Sequence, residues 1–529
     1  MLGHRLNAGT QSTEFDRGSA STVKRAVKRA RWSLVIALSI GFAFAVGGAW
    51  AVGPGGWDHL GEFKTPKVAV LNGAVYALSA ESDNGLLVGG NFNFTTADGR
   101  PAAHLAVWYP TQFWTAYATP SPLNGDVHAI AWDADHVRLF VGGTFTNAGG
   151  NAAADFLAVW NGSNWAPFCS PSPAFGGSVA ALQIIGSTLY VGGSFQNGAG
   201  VTGANYLLAC DLVTGVARPM TARVGDINGG IYALTRDDKG VLYAGGQFSD
   251  MAGIPSADHV AAYDGSWHAM GSGPSAGGGA VDDYVRSIAS NGTDVFIGTD
   301  SVNVAGIPQA DHVARWNGSA WSALGANSAG TDGWLPTTAF IYAIAAKGSQ
   351  VVATGSFQNA GGNPTADDIA SFDGTAWKPL GSNGAGNGPW IGNGLAVAII
   401  GKDVYAGGNF TSAGGDPLAS YIARFSPQAA PSNLFTIGVV KADLAKGTAA
   451  VTVSTPGAGT LGLNGVGVRL VKVTTPPRLA STKLTVQATG KAKLTLTRTG
   501  RVKVKVAITF APTGGSAKSR SLIVLLKHR

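Results

Sequence analysis

Between residues 75 and 425 one hydrophobic phrase recurs: an apolar run closed by Gly-Gly-x-Phe. It stands at Leu86–Phe92, Leu139–Phe145, Leu189–Phe195, Leu242–Phe248 and Val404–Phe410, and in altered form at Val295–Ser301 and Val351–Phe357. The second glycine position falls at 90, 143, 193, 246, 299, 355 and 408, and Thr299 occupies it in the fifth unit. Each unit of roughly 50 residues predicts four short strands. The first is typified by Ile231–Leu234, with Val75–Leu78, Val127–Ile130 and Ile341–Ile344 as counterparts. The Gly-Gly strand is the second. His312–Trp316 typifies the third, and the fourth starts at a Trp and ends in Leu-Gly, as in Trp321–Gly325 and Trp377–Gly381. Asn161-Gly162, Asp264-Gly265, Asn317-Gly318 and Asp373-Gly374 read as hairpin turns between the third and fourth strands. Four antiparallel strands per unit, repeated seven times, predict a seven-bladed β-propeller.

The last unit supplies a test of closure. It runs through Tyr421–Phe425 without a Trp-x-x-Leu-Gly strand, and the chain before the first unit holds one orphan copy, Trp57–Gly61. The N-terminal piece is therefore expected to form the outer strand of the last sheet, removing an exposed edge.

Past Ser426 the pattern changes. The Pro-containing stretch 426–433 reads as a linker. Beyond it Ala449-Val451-Val453, Leu484-Val486, Leu494-Leu496, Val502–Ile508 and Leu522-Val524-Leu526 alternate apolar with polar or basic residues. Seven or eight short strands over 434–529 predict a small immunoglobulin-like β-sandwich.

The repeat residues carry a resemblance. Tyr243-Ala244-Gly245-Gly246 followed by Tyr263-Asp264-Gly265-Ser266-Trp267 resembles the blade of kelch-like propellers related to the central domain of galactose oxidase. Val404–Gly415 and Ile369–Gly381 resemble bacterial secreted propellers with Gly-Gly-x-Phe-x-x-Ala-Gly-Gly repeats. The likeness spans about residues 57–425. It implies a propeller fold and export, and it is nearly silent on activity, because the shared residues are structural.

Charge sharpens the division. Residues 1–51 carry 7 Lys/Arg against 2 Asp/Glu, residues 52–432 carry 14 against 27, and residues 433–529 carry 16 against 1. The net +7 of the 529-residue chain thus describes no part of it, and a whole-chain case for nucleic acid has no footing. The basic tail suits contact with an anionic envelope component; a solubilising sheet face is the other reading. Five cations between Lys24 and Arg31 precede an uncharged apolar run from Leu34 to Val52. Residues 1–51 read as a cytoplasmic basic segment followed by an export signal cut after Ala51, or by a signal-anchor, so the rest lies outside the cytoplasm either way.

Apparent catalytic motifs dissolve in context. Gly198–Gly203 spells a dinucleotide fingerprint but is followed by a strand, and Gly273–Gly277 spells a nucleophile elbow inside a glycine-rich loop. His104, His259 and His312 share one repeat position, as do Asp155, Asp258, Asp311 and Asp367 just before it. Equivalents on different blades cannot share an ion, so packing and loop bracing are expected, with no metal and no cofactor. Cys169 and Cys210, the only cysteines, are a disulfide candidate in an exported chain, against two buried thiols.

Candidate ligand residues are those that depart from the repeat. Asp282, Asp283, Asp332, Trp334 and Trp390 lie in the long connectors between units. Exposed Trp beside carboxylates suits stacking on a sugar; a groove-filling Trp is the competing reading. The first-strand row Tyr76, His128, Ala180, Tyr232, Arg286 and Tyr342 is a second candidate. The expectation is an exported, non-enzymatic binding or scaffold module, with a carbohydrate, an anionic envelope polymer or a protein as partner. A propeller enzyme acting on glycans or small alcohols, and a structural coat component, are the alternatives.

Overall fold

The computed structural model describes residues 56–529 apart from 65–66, 82–84, 97–98, 110–112, 118–122, 170–174, 224, 275–277, 383–386, 391, 428–433, 457–458, 477–479 and 513–516. The proposed export segment and most of the proposed linker lie outside the described residues. Gly53–Arg529 form one compact unit.

Each of the first six repeats folds into a four-stranded antiparallel sheet whose strands pair in chain order. Sheet 1 starts at Val75–Ala80, sheet 2 at Val127–Asp133, sheet 3 at Val179–Ile185, sheet 4 at Ile231–Arg236, sheet 5 at Val285–Ser290, sheet 6 at Phe340–Lys347 and sheet 7 at Gly392–Ile400. Sheet 7 has only three strands of its own. Its fourth is Gly56–Asp58, paired antiparallel with Ile422–Ser426, so that Trp57 sits opposite Phe425. The first strands pack side by side from sheet 1 to sheet 7, and that of sheet 7 packs against that of sheet 1. This arrangement fits a β-propeller-like, all-β fold.

The diglycine is explained by two close approaches. A Cβ on Gly89, Gly142, Gly192, Gly245, Gly298 or Gly407 would lie 2.3–2.7 Å from Val127, Val179, Ile231, Val285, Ile341 or Val75, the β-branched residue of the next sheet. A Cβ on the second glycine of sheets 1–4, 6 and 7 would fall 1.9–2.1 Å from a carbonyl oxygen at the start of its own sheet's first strand, where a bulge sits. Each first glycine thus admits its neighbour's side chain, so glycine is needed for space rather than for its torsions. Thr299 takes the second position in sheet 5, and its hydroxyl donates to the Tyr284 carbonyl at 2.9 Å.

The Trp of the fourth strand joins neighbouring sheets. The indole N–H of Trp57, Trp114, Trp267, Trp321 and Trp377 donates to the carbonyl of Leu380, Leu60, Met220, Met270 and Leu324, each at the end of the preceding sheet. Gly271, Gly325 and Gly381, one residue further on, hold φ near +80° and lie so close that a Cβ would meet the indole at 3.0–3.3 Å. The Trp-x-x-Leu-Gly phrase is therefore half of one contact and half of the next. In sheet 3 the Trp position is Ala217. There the residue at the preceding glycine position is Cys169, with φ +68°, and it forms a disulfide with Cys210, the strand partner of Ala217. Their Cα atoms are 5.6 Å apart.

The Asn-Gly and Asp-Gly dipeptides do lie in the turns between third and fourth strands. Only the glycine takes positive φ; Asn161, Asn317 and Asp373 instead use a side-chain oxygen to accept the N–H groups two and three residues on.

The C-terminal residues form two sheets. Thr436–Asp443, Thr448–Thr455 and Ala480–Gln487 make one; Val471–Thr475, Gly459–Asn464, Arg501–Pro512 and Lys518–Lys527 make the other. They share one core that includes Phe435, Val451, Leu484, Leu461, Val506, Phe510 and Leu526. One expected strand is a helix: Leu494 and Leu496 lie in Gly490–Thr499, with Leu496 buried and Leu494 exposed. The run Lys491–Leu496 is rich in good helix formers, and Gly500 closes it at φ +68°. Period-two alternation over two leucines was too short to outweigh that local preference. Among the described residues no helix is long and apolar enough to cross a membrane.

Candidate ligand-binding site

Each sheet places three short pieces at one end: the start of its first strand, the end of its second and the start of its third. In sheets 2 to 6 the residue two before the third strand is Asp or Asn, and its side-chain oxygen accepts the N–H of a left-handed Asn or Asp eight residues earlier. In sheets 4, 5 and 6 the second oxygen of Asp258, Asp311 or Asp367 takes an N–H from the following connector, at Gly279, Gly333 or Gly388. These aspartates brace loops, as their repeat position led us to expect.

The next residue, just before the third strand in sheets 2 to 7 and within Pro101–Tyr109 in sheet 1, is left-handed in all seven: His104, Phe156, Tyr206, His259, His312, Asp368 and Tyr421 have φ between +59° and +65°. Its carbonyl accepts the N–H of the second diglycine position, for instance Gly143 to Phe156 and Gly355 to Asp368, each at 2.9 Å. His104 and His312 turn Nδ1 to the carbonyls of Gly90 and Thr299.

The junction of sheets 6 and 7 breaks this pattern. Thr354 replaces the first glycine, and the facing β-branched residue becomes Gly394, on which a Cβ would lie 1.9 Å from Thr354 Oγ1. Bulk and space have changed sides. Thr354 Oγ1 donates to the Asp368 carbonyl at 2.7 Å. Beside this exchange lies a cavity of about 440 Å³ lined by Ser356, Gln358, Asn359, Asp367, Asp368, Asn387, Trp390 and Asn393 with Gly392. That volume is within the range of small-ligand sites. Burial pushes the Asp368 carboxyl up to about 7, with the neighbouring Asp367 charge acting in the same direction. Near neutral pH Asp368 can therefore donate as well as accept. Both oxygens of Asp367 are engaged, with the N–H groups of Asn359 at 2.7 Å and Gly388 at 3.0 Å. The wall adds three Asn, one Gln and one Ser, a set suited to hydroxyl groups.

Trp390 contributes to the wall but offers no open ring face. It is 3% exposed, stacks on Phe410 with centroids 4.6 Å apart, and meets Trp57 edge-on at 5.0 Å. Its Nε1 is buried and has no hydrogen-bond partner among the described residues. Trp334 stacks on Trp377 at 5.1 Å, and its carbonyl accepts the Gly361 N–H. Both connector tryptophans thus fill grooves between sheets.

The other sequence candidates lie at separate junctions. Asp282 and Asp283 are exposed in the connector between sheets 4 and 5, where Asp283 accepts the Tyr284 N–H. Asp332 lies between sheets 5 and 6 and hydrogen-bonds Asp311, whose carboxyl is raised by burial and then by that contact. Asp282, Asp283, Asp332, Trp334 and Trp390 are not brought together. Sequence reasoning passed over Ser356, Gln358, Asn359, Asp368, Asn387 and Asn393; the available signal was Thr354 in place of a repeat glycine. In the first-strand row, Tyr76 stacks on His128 at 5.0 Å, Tyr232 donates to Gln247, and Arg286 pairs with Asp300 at 2.5 Å. Among the described residues Asp58, His59 and Asp416 are the one acidic and histidine group close enough to suggest an ion, yet His59 Nδ1 lies 2.6 Å from Asp416 and Arg424 pairs with Asp58 at 2.9 Å. That trio is a contact across the seam of sheet 7.

No family model and no curated protein matches the chain. Among solved structures it is similar to the extracellular domain of a one component system of B. thetaiotaomicron, at 12% identity and a TM-score of 0.43, over 87% of this chain and 52% of that one. The extracellular domain of a hybrid two component system of the same organism gives a TM-score of 0.23 at 8% identity, over 86% of this chain and 68% of that one. An acylaminoacyl peptidase of Pyrococcus horikoshii gives 0.27 at 7% identity, over 83% and 58%. The chain thus spans about half the length of the first of these, and overlap at this level carries no functional argument.

Proposed function

We propose that residues 52–425 are an exported, seven-bladed, kelch-like propeller acting as a cell-surface or extracellular binding module. A 426–433 linker joins it to a basic immunoglobulin-like sandwich, 434–529, that contacts anionic envelope material. The ligand of the propeller is carbohydrate, held at the junction of sheets 6 and 7. The observation that carries this is the polar cavity of about 440 Å³ at the junction where Thr354 and Gly394 exchange bulk. Its amides, hydroxyl and partly protonated Asp368 match the alternating donors and acceptors of a sugar. Export is supported by the cations and the apolar run before Val52, and a disulfide agrees with it.

Binding is favoured over glycoside hydrolysis by the state of the two carboxyl groups. Hydrolysis calls for two free carboxyls flanking one bond. Both oxygens of Asp367 are committed to backbone N–H groups, which leaves Asp368 alone.

A glycan array followed by calorimetry tests the reading. A bound sugar should lose at least about tenfold in affinity with Asn393→Ala or Gln358→Ala, one to two hydrogen bonds' worth. Undiminished binding by both variants would remove the site from consideration.

A further inference from the structure

The C-terminal sheet carries a mixed face that the proposed anionic contact leaves unspecified. Along Arg501–Pro512, Val504, Val506, Ile508 and Phe510 point into the core, so Arg501, Lys503 and Lys505 occupy the opposite face. Their cross-strand partners are Lys527, Leu525 and Ile523. Three adjacent rows of one sheet face therefore read Arg–Lys, Lys–Leu and Lys–Ile. Ile523 is 69% exposed and Leu525 39%, although their neighbours Val524 and Leu526 are buried. Residues 433–529 hold a single acidic side chain, Asp443, on the other sheet.

We infer that this face, Arg501, Lys503, Lys505, Ile523, Leu525 and Lys527, docks on an anionic lipid bilayer. The inference rests on the proposal that the basic module meets anionic envelope material, and it names the partner. A soluble polyanion would satisfy the cations but leave the two aliphatic side chains in water. A lipid surface answers both, with lysines at the headgroups and the aliphatic tips at the acyl boundary. The regular alternation of the strand sets cations and aliphatics at one height, as a planar partner requires.

The test is sedimentation of Gly53–Arg529 with phosphatidylcholine vesicles, with phosphatidylcholine–phosphatidylglycerol vesicles, and with soluble polyphosphate as competitor, at about 0.1 M salt. At that ionic strength exposed charges act over about 10 Å. The inference expects binding only to the anionic vesicles and a loss of at least about tenfold with K503E/K505E. It also expects a loss of several-fold with I523S/L525S and retention with K503R/K505R. All six substitutions are at solvent-facing positions, and an unchanged melting curve verifies the fold. If vesicles and polyphosphate bind alike and I523S/L525S is without effect, the anionic contact stands and the lipid inference is overturned. If neither binds, both are overturned.

Discussion

Cys169 and Cys210 are joined across the junction of sheets 2 and 3, where the repeat has Ala217 in the position that Trp holds in the other six sheets. At five other junctions an indole hydrogen bond ties the sheets together. Here Cys169 keeps the left-handed backbone of the glycine it replaces and makes the tie covalently. We expect Cys169→Ser with Cys210→Ser to lower stability by about 3 kcal/mol in urea denaturation, the usual size for a native bridge. Adding Ala217→Trp to a Cys169→Gly, Cys210→Ala background should restore part of it. A third substitution that only worsens the loss would show that the two devices are not equivalent.

Much of this was legible because a repeat prints the same physics several times. The diglycine position located the seven repeat sheets, and the orphan Trp57–Gly61 pointed to its distant partner strand. The exceptions were harder to read. That Thr354 and Gly394 compensate each other, or that Cys169 stands in for a glycine, requires knowing which residues face one another across a junction, and linear spacing does not carry that. Trp334 and Trp390 stood out as departures, but their packing depends on Trp377, Phe410 and Trp57 in other strands.

The indole hydrogen bond can be weighed against an internal control. Trp267 donates to Met220, whereas the buried Nε1 of Trp165 has no partner among the described residues. Trp267→Phe should cost about 1–3 kcal/mol more than Trp165→Phe, because it strands a buried carbonyl. Equal losses in chemical denaturation would assign the effect to ring volume alone.

At the junction of sheets 6 and 7, Gly394→Val should be strongly destabilising, since the new side chain meets Thr354 Oγ1. Combining it with Thr354→Gly reproduces the arrangement of the other junctions and should recover most of the loss. A double-mutant cycle with a coupling of about 1–3 kcal/mol is expected for residues in contact. Additive effects would contradict the exchange of bulk.

Asp368 sets a pH dependence. Its carboxyl titrates at about 7 when folded, well above an ordinary aspartate. Between the unfolded value near 4 and the folded value, the native state holds more protons than the unfolded chain, so this residue makes stability fall as pH rises through that window. Asp368→Asn should abolish that slope and leave the variant more stable than the parent at pH 8. Urea midpoints at pH 5 and pH 8 measure it, and parallel shifts in parent and variant would refute it.

Trp57 anchors the borrowed strand through Leu380, Trp390 and Phe425. Trp57→Ala should cost about 3–5 kcal/mol, as for other buried aromatic truncations. Limited proteolysis should then cut first near Gly56. An early cut elsewhere would mean that the last sheet holds without it.

The pairing of Gly56–Asp58 with Ile422–Ser426 also dictates a timetable. Asp58 is synthesised 366 residues ahead of Arg424, the side chain it pairs with. The earliest described strand is thus the last of the repeat sheets' strands to find its partner, and a chain ending short of the seventh repeat leaves it unpaired and leaves sheets 1 and 6 without the sheet that packs between them. Closure of the ring of repeat sheets thus waits on synthesis as far as Ser426, whatever follows it.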